Sequence, residues 1–537
     1  IIMLLSENSY DFIIIGAGSS GATIASRLTE NSNINVLLIE AGKKEHFYSK
    51  MPMSFGLFIN KPGVNWRYKS EGESGTANRN IPIPRGKMTG GSSSINGMVY
   101  VRGQPLDYDT WAQHGNKGWN WNEVSKIFKK IENYKNGDEI YRGNEGLLGI
   151  TEIMDKNPLY DALIKSAVSL GYPLNRDYNG PNQEGIARIQ ATISKGRRMS
   201  TDYCYLKPAL KRTNLTLITE AMTEKLIIEN KVCKGVIYKK NNKLYKVSCR
   251  KEVILSAGAI ASPQILELSG IGNKDILNKY EIKIEHHLPG VGENFQDHFM
   301  ARLQWKLKLK NASYNHLGRG INKYSEIAKY IFTKKGLFSM PAASIIAFLK
   351  TQKNMENPDI QIQYIPFSVE SLKKRIFHDF PGMAAACYQL RPNSRGTIHI
   401  CSPDPYKHPN IKFNFLSNDL DKQVLIDAVK IMRNIVEGKP MDQIRDFEHS
   451  PGASVSNDSE IEEYIRQTAE TGFHPSGTCK MGIGSHSVVD DELKVHGLKG
   501  IRVADASIFP TIPSGNTNAA CIMVGEKVSQ IIKESIN

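Results

Sequence analysis

The segment YDFIIIGAGSSGATIASRLTENSNINVLLIEAG, residues 10–42, places the strictest limit on what this chain can fold into. The apolar run at residues 12–15 predicts a buried parallel strand. A glycine-rich turn follows it, and a helix is predicted over about 20–29. A second strand is predicted over residues 35–39. Strand, turn, helix and strand in this order predict a βαβ unit that binds a dinucleotide.

The turn has the G-x-G-x-x-G spacing in Gly16, Gly18 and Gly21. These glycines allow a tight turn, a close approach of pyrophosphate to the backbone, and close packing of the helix on the strand. The free amides and positive dipole end of the helix would face the phosphates. Glu40, after the second strand, can accept both ribose hydroxyls of an adenosine, which argues against NADP. The turn alone leaves FAD and NAD open.

A second glycine- and serine-rich stretch, PRGKMTGGSSSINGMVYVRG, spans residues 84–103. Its amides and hydroxyls could wrap a polar cofactor, and Arg85 and Lys87 would supply positive charge for phosphate. A flexible linker could have the same small residues. The apolar residues MVYV that follow, at 98–101, favour a loop that is anchored to the fold.

With this loop in place, the chain resembles the glucose-methanol-choline (GMC) family of FAD-dependent oxidoreductases. Four later stretches agree, in the family's order: GAIASPQILELSGIG at 258–272, LPGVGENFQDH at 288–298, HPSGTCKMG at 474–482 and VADASIFPTIPSGNTNAACIMVGEK at 503–527. The match runs essentially from end to end. It implies an α/β fold in which a Rossmann-like FAD-binding domain carries an inserted substrate domain built on an antiparallel sheet (α+β).

The resemblance also implies a set of FAD-binding residues. Glu40 would bind the adenosine ribose, and Thr223 would contact the adenine side. Asp505 and Ala506 would approach the ribityl and phosphate portion, and Ala519 would lie by the flavin ring. The full predicted set is Gly16, Gly18, Ser19, Ser20, Gly21, Glu40, Ala41, Trp66, Arg85, Gly90, Gly91, Ser92, Asn96, Gly97, Met98, Val99, Thr223, Ala257, Gly258, Asp505, Ala506, Thr517 and Ala519.

Some members of the family attach FAD covalently through a histidine of the second loop. Ile95 occupies that place here, in SSSINGM. Because isoleucine cannot form the bond, the flavin is predicted to be held without a covalent link.

His474, in HPSGTCKMG, could be a structural residue, a metal ligand or a catalytic base. A metal site shared with Cys479 is disfavoured, since no third and fourth ligands lie at zinc-like spacing, and no metal is predicted. The family places a histidine of this motif beside flavin N5, paired with a histidine or asparagine of the C-terminal motif. Counting back from GEK at 525–527 gives Asn518 as the partner. His298, in NFQDH, is predicted to be structural.

The family match divides the chain into two domains. The FAD-binding domain is predicted to be discontinuous and to comprise residues 1–155, 190–305 and 455–537. The substrate-binding domain is predicted at residues 156–189 and 306–454.

Two segments carry clear secondary-structure signals. DIQIQYIPF, at 359–367, alternates apolar and polar residues as a half-buried strand does. NDSEIEEYIRQTAE, at 457–470, has an acidic first turn after a capping residue, which predicts a helix on the return to the FAD-binding domain.

The charge balance is basic, with 69 Lys and Arg against 54 Asp and Glu, a formal net charge of +15. The basic residues are spread thinly, so nucleic acid is not predicted as a partner. Weak peripheral association with an anionic membrane is compatible with this charge. The chain begins without a basic segment or a long apolar run, so a cytoplasmic location is expected.

The resemblance implies an FAD-dependent alcohol dehydrogenase or oxidase that converts a primary alcohol to an aldehyde. Neutral His474 would accept the hydroxyl proton, the hydride would pass to flavin N5, and Asn518 would stabilise the alkoxide. The electrons would then go to a quinone or to oxygen. A light-driven fatty-acid decarboxylase of the same family and a non-enzymatic flavin-binding protein are the alternatives.

The sequence leaves the alcohol and the oligomeric state open. Choline is one candidate, and a quaternary ammonium would need an aromatic cage or a carboxylate. The substrate domain offers Tyr364, Phe367, Glu370, Phe377 and Tyr388 for this purpose.

Overall fold

The computed structural model describes residues 3–5, 10–371 and 376–536. Within these residues the protein has two large sheets, one of eight strands and one of seven. The helices of eight or more residues are Ser19–Leu28, Pro105–Gln113, Trp121–Ile131, Pro158–Ser169, Gly258–Leu268, Gly320–Thr333, Asp419–Glu437, Asp458–Thr468 and Asn518–Ile536. No helix in the described part of the chain is long and apolar enough to cross a membrane.

The first sheet has a parallel centre, extended on one side by an antiparallel meander. Its strands lie in the order Leu215–Ile218, Val36–Ile39, Tyr10–Ile15, Lys243–Leu255, Val232–Lys240 and Met222–Glu229, and Met3–Leu5 and Ile501–Val503 also pair with Lys243–Leu255.

The predicted βαβ unit is confirmed, with the strands Tyr10–Ile15 and Val36–Ile39 joined by the helix Ser19–Leu28. Both strands are buried along their whole length, which explains why their side chains are apolar at successive positions. The long C-terminal helix Asn518–Ile536 packs against this unit, and the Ser20 hydroxyl donates to the Cys521 carbonyl over 2.7 Å.

The second sheet is antiparallel throughout. Its strands lie in the order Arg445–Ser450, Phe299–Leu307, Gly382–Gln389, Ile360–Ile365, Ile345–Leu349 and Gly185–Arg188, and Glu470–Thr471 also pairs with Phe299–Leu307. One face is covered by the helices Pro158–Ser169, Asp419–Glu437 and Asp458–Thr468. The other face packs against the second glycine-rich loop.

This sheet corrects one local expectation. The segment 359–367 was expected to be a half-buried strand, but Ile360–Ile365 is buried at every position. Ile360 and Ile362 face the covering helices, and Gln361 and Gln363 face the opposite side, where the second loop closes the space. The alternation of apolar and polar residues in this strand therefore distinguishes two buried faces, one apolar and one polar, rather than a buried face and an exposed face.

The helix predicted at 457–470 is confirmed as Asp458–Thr468, and Asn457 with Glu460 forms its capping box. It packs on the second sheet, where the Tyr464 hydroxyl donates to the Arg302 carbonyl over 2.7 Å. The strand Phe299–Leu307 of the same sheet begins inside residues 190–305, which the family match assigned to the FAD-binding domain.

Candidate active site

The parallel strands of the first sheet end at one edge, and a cavity opens there. Gly16, Glu40, Ser256 and Asp505 follow within two residues of the ends of four neighbouring strands, and all four line this first cavity. Crevices at the carboxyl ends of parallel strands are the usual ligand sites of such sheets. The predicted cofactor-binding residues that line it are Gly16, Gly18, Ser19, Ser20, Glu40, Ala41, Trp66, Arg85, Gly91, Ser92, Thr223, Ala257, Gly258, Asp505 and Ala506.

Each of the three glycines of the turn is required for a different structural reason. Gly16 has φ +97°, and a Cβ there would lie 2.4 Å from the Ser256 carbonyl oxygen. A Cβ on Gly21 would lie 1.9 Å from the Gly16 carbonyl oxygen, so this glycine permits close packing of helix on turn. At Gly18 a Cβ would meet only the Gly91 Cα, at 3.9 Å, and would otherwise enter the cavity. Gly18 therefore keeps the cradle open for a ligand.

Glu40 is held by backbone amides at the edge of the first cavity. Its Oε2 accepts the Ala17 N–H over 2.9 Å, and its Oε1 accepts the Gly42 N–H over 2.7 Å. Burial raises the pKa of Glu40 to about 7, although these two hydrogen bonds oppose the shift. The carboxyl group is thus fixed in position where a ribose hydroxyl could reach it.

A second cavity continues from the first. Ser19, Arg85, Ser92 and Cys521 line both, so one continuous groove runs from Glu40 to the second sheet. The predicted residues that line the second cavity beyond those shared are Asn96, Gly97, Met98, Val99, Thr517, His474 and Asn518.

Three residues of the predicted set line neither cavity. Gly21 serves the helix packing described above, and Ala519 is buried in the core at the start of the C-terminal helix. Gly90, with φ +82°, donates its N–H to the Ala17 carbonyl over 2.7 Å and so ties the second loop to the dinucleotide turn. These three residues therefore support the elements that line the groove without lining it themselves.

The groove fits a flavin dinucleotide. It is continuous, it begins at the turn and ends at the candidate base, and the Gly18 cradle is open toward it. The Thr223 hydroxyl in its wall is buried and has no hydrogen-bond partner within the described residues. A buried polar atom of this kind requires a partner, which a bound ligand would provide.

The structure corrects the predicted partner of His474. Asn516 Nδ2 lies 3.0 Å from His474 Nε2, whereas Asn518 Oδ1 accepts a hydrogen bond from the Ser19 hydroxyl over 2.8 Å. The two asparagines are separated only by Thr517, so counting along the motif could not distinguish them. Asn518 begins the C-terminal helix and faces the dinucleotide turn, while Asn516 lies in the preceding loop.

Asn516 is oriented by the second sheet. Gln361 Nε2 donates to Asn516 Oδ1 over 3.2 Å, which turns the Asn516 amide nitrogen toward His474. Neither Gln361 nor Asn516 was predicted from the sequence as part of the site. Gln361 could have been found from the alternating segment 359–367, because its polar residues lie on the face opposite the apolar core.

His298 determines which nitrogen of His474 carries a proton. His298 Nε2 lies 3.0 Å from the Leu390 carbonyl oxygen, which can only accept, so Nε2 is protonated. Burial lowers the pKa of His298 to about 4, and the ring is neutral, so its Nδ1 is an acceptor. His474 Nδ1, 2.8 Å away, must therefore donate. This leaves a lone pair on His474 Nε2, next to Asn516.

The protonation state of His474 follows from the same surroundings. Burial, the neighbouring His298 and the positive charge of Arg85 together lower the pKa of His474 well below the usual 6.5. Each of these factors disfavours the charged imidazolium. The ring is accordingly a neutral hydrogen-bond acceptor at neutral pH.

The backbone around His474 is fixed from two sides. Asp297 Oδ1 accepts the His474 N–H over 2.9 Å, and Asp297 Oδ2 accepts the Thr471 hydroxyl. Arg85 donates to the Phe473 carbonyl over 2.7 Å. Phe473 itself has φ +66°, a strained value for a residue with a side chain. The loop is therefore held in a conformation that it would not adopt alone.

The predicted cation-cage residues separate into two groups. Phe367 and Tyr388 line the second cavity, and the Tyr388 ring stacks on His298 with centroids 4.5 Å apart. Tyr364 is buried among the helices on the far face of the sheet. Glu370 pairs with Arg319 over 2.9 Å, and Phe377 packs against Phe367; neither lines the cavity.

Known proteins show the same fold and sequence pattern. The pattern of the GMC oxidoreductase family matches residues 10–300 with its N-terminal part and 392–525 with its C-terminal part. An oxygen-dependent choline dehydrogenase of Photobacterium profundum is 39% identical over 98% of this chain and 93% of its own. One of Escherichia coli K12 is 40% identical over 98% and 95%. A solved structure of an Aspergillus oryzae formate oxidase, whose title refers to FAD modification, superposes on this chain with a TM-score of 0.92. The two sequences are 26% identical, and the match covers 98% of this chain and 99% of the formate oxidase chain.

The fold and site define a dinucleotide-dependent oxidoreductase. The sequence match is specific enough to say more: the chain belongs to the GMC oxidoreductase family. It is an FAD-dependent enzyme that oxidises alcohols.

Proposed function

We propose that the protein oxidises a primary alcohol to an aldehyde in the second cavity, with His474 as the base and Asn516 as its partner. One observation carries this proposal: the hydrogen bonds from Leu390 through His298 leave the His474 Nε2 lone pair beside the Asn516 amide. A neutral imidazole with an unprotonated nitrogen in the cavity wall can accept a hydroxyl proton at physiological pH.

Each residue of the site would have a separate role in the reaction. A substrate hydroxyl placed between His474 Nε2 and Asn516 Nδ2 would give its proton to the imidazole and accept a hydrogen bond from the amide. The amide would then stabilise the charge that develops on the alcohol oxygen. Gln361 keeps the amide in this orientation, and Asp297 keeps the His474 backbone in place. FAD, when bound, supplies the hydride acceptor.

We assign FAD to the continuous groove formed by the two cavities. The dinucleotide turn and Glu40 would hold its pyrophosphate and adenosine ribose, with Thr223 near the adenine. Asn518 would act on the cofactor side, because it holds Ser19 of the turn. Ile95 lines the second cavity and offers no atom for a covalent bond, so we expect a dissociable flavin.

The second sheet, with its covering helices, is proposed as the substrate domain. It supplies Met300, Gln363, Ile365, Ala386 and Tyr388 to the wall opposite the second glycine-rich loop. The assignment of residues 156–189 and 306–454 to this domain is kept. The strands Phe299–Leu307 and Glu470–Thr471 are added from their sheet pairing, and the helix Asp458–Thr468 is added because it covers the sheet. Residues 1–155, 190–298 and 472–537 would then form the FAD-binding domain.

The electron acceptor is proposed to be oxygen or a quinone. The relatives named oxygen-dependent choline dehydrogenases make oxygen the first acceptor to test. They also make choline the first alcohol to test. The location is proposed to be cytoplasmic, as expected from the sequence.

An anaerobic screen of primary alcohols tests the proposal. Loss of the oxidised-flavin absorbance after mixing the enzyme with an alcohol would show that the alcohol is oxidised. Readmitting air would then show whether oxygen reoxidises the flavin. His474→Ala should lose most of the reaction, while His286→Ala, at a residue that lines neither cavity, should retain it. A flavin that stays oxidised with every alcohol would contradict the proposal, and hydrocarbon release from a fatty acid under blue light would replace it with the decarboxylase.

A further inference from the structure

Gln363 is a polar residue in the wall of the second cavity that the proposed reaction does not use. The residue is buried, with 8% of its surface exposed, and it lines the cavity. Its carboxamide has no hydrogen-bond partner among the described residues. Unlike the Tyr388 hydroxyl, which is unpartnered but enclosed, the carboxamide is open to the cavity. A buried amide in this state requires a partner, which a ligand in the cavity would provide.

The strand Ile360–Ile365 places Gln363 at a fixed distance from the reacting end. Gln361 and Gln363 are two positions apart in this strand, so their side chains share one face of the sheet. Gln361 holds Asn516, beside which the reacting hydroxyl is proposed to lie. Two residues along a strand span about 7 Å, so the Gln363 carboxamide lies roughly that far from the reacting oxygen.

The neighbours of Gln363 across the sheet are apolar. Gln363 is directly opposite Ile346 on one side and Ala386 on the other. The short Ala386 side chain also lines the cavity and is too small to cover the carboxamide. Beyond Ala386 in the same row lies Arg302, which is itself engaged within the protein. Gln363 is therefore the described member of this row that has hydrogen-bonding groups available to a ligand.

A carboxamide selects an uncharged polar group. Its N–H atoms donate, its oxygen accepts, and it carries no charge, so a hydroxyl can bond with it in either direction. A quaternary ammonium has neither a donor nor an acceptor and cannot do so. The wall around Gln363 includes Phe55, Met98, Met300 and Ile365, which suit a chain of methylene groups.

Resting on the proposed function, we infer that the substrate is a primary alcohol with a second uncharged hydrogen-bonding group, such as a hydroxyl, at the far end of a short aliphatic chain. Gln363 binds this group and determines the length of the chain. The reacting hydroxyl lies between His474 and Asn516, and the methylene groups cross the apolar wall. Standard bond lengths place the two oxygens of an extended chain of about five carbons roughly 7 Å apart.

Matched pairs of alcohols test the inference on the FAD-loaded enzyme. Each pair is a diol and the mono-alcohol in which a methyl group replaces the second hydroxyl. The pairs are butane-1,4-diol with pentan-1-ol, pentane-1,5-diol with hexan-1-ol, and hexane-1,6-diol with heptan-1-ol. The measured quantity is the rate constant of anaerobic flavin reduction at low alcohol concentration, halved for each diol because either end can react. The ratio of diol to mono-alcohol should be highest for pentane-1,5-diol.

Two substitutions of Gln363 separate hydrogen bonding from packing. Gln363→Met keeps the length of the side chain and removes its polar atoms. It should lower the ratio for pentane-1,5-diol by roughly 3- to 10-fold, the usual net worth of a hydrogen bond between neutral groups. Gln363→Asn moves the carboxamide back by one methylene group and should shift the highest ratio to hexane-1,6-diol. Propan-1-ol, which is too short to reach this position, should react with both variants as it does with the wild type.

Gln304→Met is the matched control on the same sheet. Gln304 lines neither cavity, and its Oε1 accepts the Val369 N–H over 2.8 Å, so this variant should keep the wild-type profile. A wild-type profile without a maximum, or a profile that Gln363→Met leaves unchanged, would mean that the carboxamide binds only water. Either result would overturn the inference while alcohol oxidation stands. No flavin reduction by any alcohol would instead contradict the proposed function.

Discussion

His298 Nδ1 lies 2.8 Å from His474 Nδ1, and this contact fixes the proton of His474 on the side away from the cavity. Only one of two facing nitrogens can donate, and the Leu390 carbonyl assigns the donor role to His474. His298 is therefore a positioning residue for the proposed base. Its ring also stacks on Tyr388, which keeps it in place.

His298→Leu is expected to slow flavin reduction by alcohol while FAD remains bound. Without its acceptor, His474 can place its proton on either nitrogen, so a fraction of molecules loses the lone pair at Nε2. His298 also lowers the pKa of His474, so its removal should raise that pKa. The pH at which the rate reaches its plateau should then move upward. Stopped-flow measurements across pH check this, and an unchanged profile would leave His298 with a purely structural role.

The two asparagines of the C-terminal motif should behave differently. Asn516→Ala removes the amide beside His474 and should slow flavin reduction on the order of 10-fold or more, with normal FAD content. Asn518→Ala removes the acceptor of the Ser19 hydroxyl and should mainly weaken FAD retention. Flavin content after gel filtration and reduction rates of the loaded enzymes distinguish the two. The opposite pattern would restore Asn518 as the partner of His474.

Gly18→Val tests the position of the pyrophosphate. The valine side chain would enter the first cavity, because a Cβ at Gly18 meets no close protein atom. The variant should purify with little flavin, as judged by its visible absorbance. Gly484→Val, at an exposed loop glycine whose Cβ would lie 3.9 Å from Ser487 Oγ, is the matched control and should remain yellow. A fully flavinated Gly18→Val protein would mean that the cofactor lies elsewhere.

The attachment of the flavin can be read from a single precipitation. Because Ile95 stands where a linking histidine is found in some relatives, acid should release all FAD into the supernatant. Flavin that stays with the precipitated protein would show a covalent bond through another residue. The Ile95→His variant, which introduces a histidine nitrogen at this place, should be precipitated in parallel, and the flavin released from the two proteins should be compared.

Local patterns were sufficient to predict the dinucleotide-binding unit. Strand, turn and helix between Tyr10 and Leu28 are specified by neighbouring residues, and glycine spacing identifies the turn. The contact between His298 and His474 could not be predicted in this way, since 176 positions separate the two residues and the contact depends on how two loops meet.

The C-terminal motif shows a second limit. Asn516 and Asn518 have the same chemistry, and only the start of the helix at Asn518 decides which faces His474.

The central claim is that His474 accepts the proton of the alcohol, and the pH dependence of flavin reduction in the wild type and in His474→Ala tests it most directly. Since burial lowers the pKa of His474 well below 6.5, the wild-type rate should rise with pH as the imidazole loses its proton and should be flat above that range. His474→Ala should keep its FAD, lose roughly 10² to 10⁴-fold in rate, and show no such rise. A variant that reduces its flavin at near the wild-type rate with the same pH profile would contradict the account.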